Sequence, residues 1–211
     1  MNGYMKPQDI EKRSFEIITA ELGERTFPAG IAEVVKRVIH TTADFDYADS
    51  LAFSPDVIEK AKAALAAGAT VVTDTNMALS GVSKVTLAKL GGKAVCLMAD
   101  EQVASEAKAR GVTRAVVSME HAAKFDGPLL FAIGNAPTAL IRLHELIEEG
   151  IVAPALVIGV PVGFVNVVEA KELFIGGDTP YIIARGRKGG SNVAASIVNA
   201  LLYQLVHREG F

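Results

Sequence analysis

From Ser54 onward the chain alternates short β-branched runs with longer amphipathic segments, and this alternation restricts its fold more than any other feature. Ser54-Pro55 opens a helical pattern that runs to Ala67, and Thr70-Val71-Val72-Thr73 then reads as a strand. The order continues as helix over Val82 to Leu90, strand over Ala94 to Met98, helix over Asp100 to Arg110, strand over Ala115 to Ser118 and a short helix over Met119 to Phe125. Leu129 to Ile133, Ala155 to Val160 and Tyr181 to Ala184 read as strands, separated by helical patterns over Thr138 to Glu149 and Val165 to Phe174; Gly190 to His207 forms the last helix. Strands joined through helices run parallel, and their crossovers cover both faces of the sheet. The expected fold is therefore α/β: a three-layer α/β/α arrangement on a mostly parallel sheet, a single domain over residues 1–211. Ahead of it, Pro7 to Leu22 and Pro28 to Ile39 carry helical periodicity, each opening at a proline.

In sheets of this kind ligands bind outside the carboxyl ends of the strands. Four of the expected exits are polar or glycine-rich: Thr73-Asp74-Thr75-Asn76, Gly134-Asn135-Ala136-Pro137-Thr138, Pro161-Val162-Gly163-Phe164, and the run from Arg185 to Asn192. Parallel strands would bring these exits to one rim, which is the predicted site.

Composition excludes several functions. With 21 basic and 24 acidic side chains the net charge is −3, so nothing draws the chain to a phosphate backbone, and nucleic acid is not an expected partner. The single cysteine, Cys96, has no partner for a disulfide, and the polar stretch from Met1 to Glu16 is not a signal peptide; a cytoplasmic setting is expected. Two uncharged stretches, Ile151 to Val168 and Gly189 to Val206, raise the question of a membrane. Pro154, Gly159, Pro161 and Gly163 break the first, while Ser191, Asn192, Ser196, Asn199 and Gln204 interrupt the second, so neither reads as a span. The second reads as a buried helix and a candidate subunit contact.

Metal and nucleotide chemistry lack their usual signatures. No two histidines have ligand spacing, and Asp44, Asp46 and Asp49 lack the glycine and terminal glutamate of a calcium loop; they read as a solvated turn in which Asp44 could orient a neighbour. Gly186-Arg187-Lys188-Gly189-Gly190-Ser191 is not a Walker loop, nor does any Gly-x-Gly-x-x-Gly follow an early strand. Its cations, with Arg185 and an N-cap expected at Ser191, still suit an anion, carboxylate as well as phosphate. Thr138 is the expected start of its helix, and Asp74 or Thr75 could cap the one that follows them.

Among the histidines, His40 ends the helix bearing Ile31, Val34, Val35, Val38 and Ile39 and is followed by Thr41-Thr42-Ala43-Asp44. A helix C-terminus favours imidazolium, which can poise the ring near neutral pH. Position alone does not choose between a cap and a proton-transfer group. His121, His144 and His207 are weaker candidates.

Taken in order, six segments resemble the precorrin-8X methylmutase family of cobalamin biosynthesis: Ile10-Glu11-x-x-Ser14, Ile39-His40-Thr41-Thr42-Ala43-Asp44, Thr73-Asp74-Thr75-x-Met77, Gly134 to Leu140, Pro161 to Val165 and Arg185 to Ser191. Asn166-Val167-Val168 departs from the small residues common there. The resemblance, spanning about residues 7–205, implies a homodimeric isomerase that moves a methyl group from carbon 11 to carbon 12 of a tetrapyrrole, with neither cofactor nor methyl donor. It also implies His40 as proton donor. A polycarboxylate macrocycle suits a rim carrying Thr75, Asn76, Asn135, Arg185, Arg187, Lys188 and Ser191 beside apolar Met77, Phe164 and Val165; the family segments add Ser14, Thr41, Asp74, Thr138 and Gly163. Two other readings remain: a corrinoid carrier, whose Asp-x-His-x-x-Gly signature is missing, and a nucleotide-dependent enzyme, which lacks its glycine fingerprint.

Overall fold

The computed structural model describes residues 6–206. Its elements, in chain order, are α1 (Pro7–Leu22), α2 (Ile31–Thr42), α3 (Tyr47–Ser50), β1 (Leu51–Phe53), α4 (Val57–Ala66), β2 (Thr70–Thr73), α5 (Asn76–Gly81), α6 (Lys84–Lys89), β3 (Lys93–Cys96), α7 (Glu101–Arg110), α8 (Arg114–Ala122), β4 (Leu129–Ile133), α9 (Pro137–Glu148), β5 (Leu156–Gly159), α10 (Val167–Glu172), β6 (Tyr181–Ala184) and α11 (Ser191–Leu205). The strands form one sheet in the order β1-β6-β5-β4-β2-β3, in which every neighbouring pair is parallel except β1 with β6.

Alternate residues of each central strand serve opposite faces, which is why these strands are apolar throughout. Val71, Leu130, Ala132, Ile158 and Ile182 pack under α2, α4 and α11, with α1 laid over α2. Val72, Phe131, Ile133, Val157 and Ile183 pack under α8, α9 and α10. The three-layer α/β/α sandwich follows.

Several local expectations change. Ala115 to Ser118 is not a strand but the front of α8: Thr113 accepts a hydrogen bond from Val116 N, and Ala115, Met119 and Ala122 sit at helical spacing against α9. Packing there overrides the β preference of Val116 and Val117. The sixth strand is instead β1, three residues long. The expected helix over Val82 to Leu90 is α6 alone, preceded by a separate short helix, α5, and Asn199 of α11 bridges the break between them by accepting from Ser83 N at 2.8 Å and donating to Gly81 O at 2.8 Å. Caps also move: α2 opens at Ile31 behind left-handed Gly30, α9 opens at Pro137 ahead of Thr138, and Gly190 precedes Ser191 as the N-cap of α11. The expected buried helix is found: the uncharged face of α11 lies within the chain's own core, from Val193 to Val198 and Ala200 to Leu202. No helix among the described residues is long and apolar enough to cross a membrane. His207 lies outside the described residues.

Candidate active site

The four polar exits belong to β2, β4, β5 and β6, neighbouring parallel strands, so they do share one rim. The reversed direction of β1 adds a fifth segment. Because β1 is antiparallel, it begins where the others end: Leu51 pairs with Ala184, and Arg185 N donates to Ser50 O at 2.8 Å. The residues between His40 and Ser50 are thereby delivered to the rim.

Two buried charges hold the exits in shape. Asp74, fully buried after β2, accepts hydrogen bonds from the backbone N–H groups of Gly134, Asn135 and Ala136 at 2.9, 2.8 and 2.6 Å. Burial raises its pKa despite the three donors. Its carboxylate fills the nest of amides after β4 and leaves the exposed Asn135 side chain facing solvent. Lys171, fully buried on α10, donates from Nζ to Gly186 O and Lys188 O, each at 2.8 Å, and so fastens the loop after β6. Desolvation lowers its pKa to about 8. Sequence reasoning passed over Lys171, although its signal was present: it shares a helical stripe with Val167, Ala170 and Phe174, where a lysine needs internal acceptors.

Close backbone approaches complete the rim. A Cβ on Gly134 would stand 2.7 Å from Ser191 Cα, and one on Gly189 would collide with Val160 O. The glycines thus let the start of α11 and the loop after β6 close against the exits of β4 and β5, where Gly190 N donates to Val160 O and Gly163 N to Arg187 O. Thr75 caps α5 through Ala78 N, and its hydroxyl lies 2.7 Å from that of Ser191.

The expected basic patch is mostly paired. Arg185 makes two bonds to Glu172, at 2.9 and 2.7 Å, while Lys188 Nζ lies 2.6 Å from both Asp44 and Asp46. Lys188 holds the Asp44 carboxyl below its ordinary pKa and is itself raised by the two carboxylates. Asp49 pairs instead with Arg25. Among the described residues no carboxylate pairs with Arg187, whose guanidinium lies 5.5 Å from the centroid of the Phe164 ring. Apolar side chains stand out into solvent nearby: Met77 is 72 % exposed, Phe164 83 % and Val165 77 %. Asn76 is exposed too.

His40 sits in the last turn of α2, exposed, between two depressions. One, of about 290 Å³, runs toward α11 past Thr41, Asn192, Ser196 and Asn199; the other, of about 260 Å³, is lined by Ser14, Glu21, Ala43 and Phe45. The ring is no cap, since left-handed Ala43 closes the helix through its N–H to Ile39 O, and among the described residues the imidazole makes no hydrogen bond. Contrary to the pull of the helix C-terminus, its pKa is lowered, by partial burial first and by Arg37 second, against an upward effect of Glu11. Not every predicted hydroxyl faces the depressions freely: Ser14 donates to Ile10 O, Thr41 to Arg37 O, and Thr138 lies 3.1 Å from Thr113. Among the described residues no three metal-binding side chains cluster.

Comparison with known proteins agrees with the fold. A family model described as precorrin-8X methylmutase matches residues 9–204. The cobalt-precorrin-8 methylmutase of Salmonella typhimurium is 46 % identical over 213 residues, covering 97 % of this chain and 99 % of that one. That of Priestia megaterium is 45 % identical over 197 residues, 93 % and 88 % of the two chains. The crystal structure of precorrin-8X methylmutase from Thermus thermophilus superposes with a TM-score of 0.86 at 39 % identity, covering 92 % of this chain and 94 % of its own.

Proposed function

The chain belongs to the precorrin-8X methylmutase family, isomerases of cobalamin biosynthesis, and from that premise we propose that it moves a methyl group from carbon 11 to carbon 12 of a tetrapyrrole, with His40 as the proton donor. The observation that supports this most directly is the meeting of His40 with the strand exits, through Asp44 and Asp46 on Lys188 and through the depression shared with Asn192. A macrocycle edged with carboxylates needs a wide rim carrying both apolar and polar groups. Met77, Phe164 and Val165 offer the first; Asn76, Asn135, Thr75, Ser191 and Arg187 offer the second.

Protonation of the ring system draws electron density toward the new positive centre and eases migration of the methyl with its bonding pair. The product has the composition of the substrate, so a proton given before the shift is matched by one lost after it, and the imidazole returns to its starting state. An intramolecular shift needs no methyl donor and no redox partner, and any cobalt arrives as part of the substrate. The resting imidazole is mostly neutral at pH 7 because its pKa is lowered. Substrate carboxylates entering the depressions add negative charge beside it and raise that pKa, which loads the donor on binding.

His40→Ala is expected to bind substrate but lose activity by about 10²- to 10⁴-fold, the usual contribution of general acid catalysis. Conversion is followed by visible absorption, since removing the tetrahedral centre at carbon 11 extends conjugation. Full turnover in the variant would remove His40 from its role, and binding without spectral conversion by the wild type would mark a carrier. The enzyme works in the cytoplasm as a homodimer on this reading; sedimentation at micromolar concentration tests the dimer, and a monomer would refute it.

A further inference from the structure

We propose that Phe15 and Arg37 are positioning residues for His40, so that α1, which packs over α2, forms part of the catalytic apparatus. The Phe15 ring lies on the imidazole with centroids 5.2 Å apart and planes 12° apart. On its way along α2, one turn before His40, Arg37 puts its guanidinium 4.7 Å from the Phe15 centroid and 5.3 Å from that of Tyr203 on α11. Glu11, one turn before Phe15 on the same face of α1, pairs with Arg37 at 2.5 Å. Three helices thus build one stack of imidazole, phenyl, guanidinium and phenol.

The stack matters because it is the ring contact that His40 makes among the described residues. No described residue hydrogen-bonds the imidazole, so its plane is set by the contact with Phe15 and the packing of α2. A histidine acting on a bound substrate needs one orientation, and misplacement by about 1 Å can cost about 10²-fold in rate. The charged and titratable groups around it are Arg37 on its own helix, Glu11 and Glu21 on α1, and Tyr203 on α11. Partial burial of the ring and the charge of Arg37 push its pKa down; Glu11 pushes it up. Loss of Arg37 charge therefore raises the His40 pKa, and loss of the Phe15 face does the same by admitting water.

The proposal rests on His40 as proton donor for its catalytic meaning, but its first readout does not. His40 is titrated by NMR in the protein without substrate, its signal assigned by its disappearance in His40→Ala. Phe15→Leu and Arg37→Gln are expected to move the midpoint up, while Phe15→Tyr and Arg37→Lys keep it near wild type. In turnover, Phe15→Leu lowers kcat by about 10- to 100-fold with KM within threefold, and Phe15→Tyr restores it. An unmoved midpoint in both disruptive variants, with thermal melts showing them folded, overturns the positioning role whatever His40→Ala does. A lowered kcat that Phe15→Tyr fails to restore overturns it as well.

Discussion

Replacing Lys171 by methionine isolates the consequence of burying a charge under the loop after β6. Methionine fills most of the volume but leaves Gly186 O and Lys188 O without their donor. The carbonyls belong to a half-buried and an exposed residue, so the penalty for stranding a buried acceptor, about 1–3 kcal/mol each, bounds the destabilisation at roughly 2–6 kcal/mol. Against this, the variant no longer desolvates an ammonium. A pKa of about 8 in place of 10.5 makes that relief about 3 kcal/mol while the amine is charged. The sign in pH follows. The folded-state pKa lies below the unfolded one, so between pH 8 and 10.5 the unfolded chain binds more protons and wild-type stability from this group rises with pH. The neutral amine keeps two N–H donors for two carbonyls, so the loop stays fastened. Urea unfolding of both proteins at several pH values from 7.5 to 10.5 should show the gap between them widening by about 3 kcal/mol across that window. A constant or narrowing gap would refute a desolvated lysine at this position.

Asp74→Asn leaves one acceptor oxygen and turns an amide against the N–H groups of Gly134, Asn135 and Ala136; a loss of about 2–4 kcal/mol in chemical denaturation and a raised KM are expected. Unchanged stability would show that the exit after β4 holds itself. Gly189→Ala drives a methyl into Val160 O, so the loop must shift: about 1–3 kcal/mol is lost and substrate binding weakens more than kcat, as steady-state kinetics would show. Because His40 titrates below its ordinary value in the free protein, substrate binding near pH 7 should take up a proton, read as a dependence of calorimetric binding heat on buffer ionisation enthalpy. Binding without proton uptake would point to a donor other than His40.

The layer order was legible because strands such as Thr70–Thr73 and Leu129–Ile133 are apolar on both faces, and helices such as α9 carry a regular stripe. The rim was legible because its exits are polar after apolar runs. Ala115 to Ser118 misled since a β-branched pair inside a short apolar run looks alike in helix and strand, and only its packing against α9 decides. The pairing of Lys188 with Asp44 and Asp46 joins residues at opposite ends of the sequence, and no local pattern announces it. For the same reason Arg185, Arg187 and Lys188 read as a free basic patch when two of the three are engaged. His40 was found by position and resemblance, but the stack that carries its ring depends on the packing of α1 over α2, which periodicity cannot supply.

The reversal of β1 also bears on how the protein is made. Its partner strand, β6, is made only after β2, β3, β4 and β5, well behind β1 and the helix that carries His40. During synthesis β1 has no edge to pair with, and α2 no α11 to pack on, until β6 and α11 follow the four intervening strands. Long-range closure of this kind slows folding and exposes the waiting segments to aggregation. A chain cut short before Tyr181 would carry His40 but have nowhere to seat it.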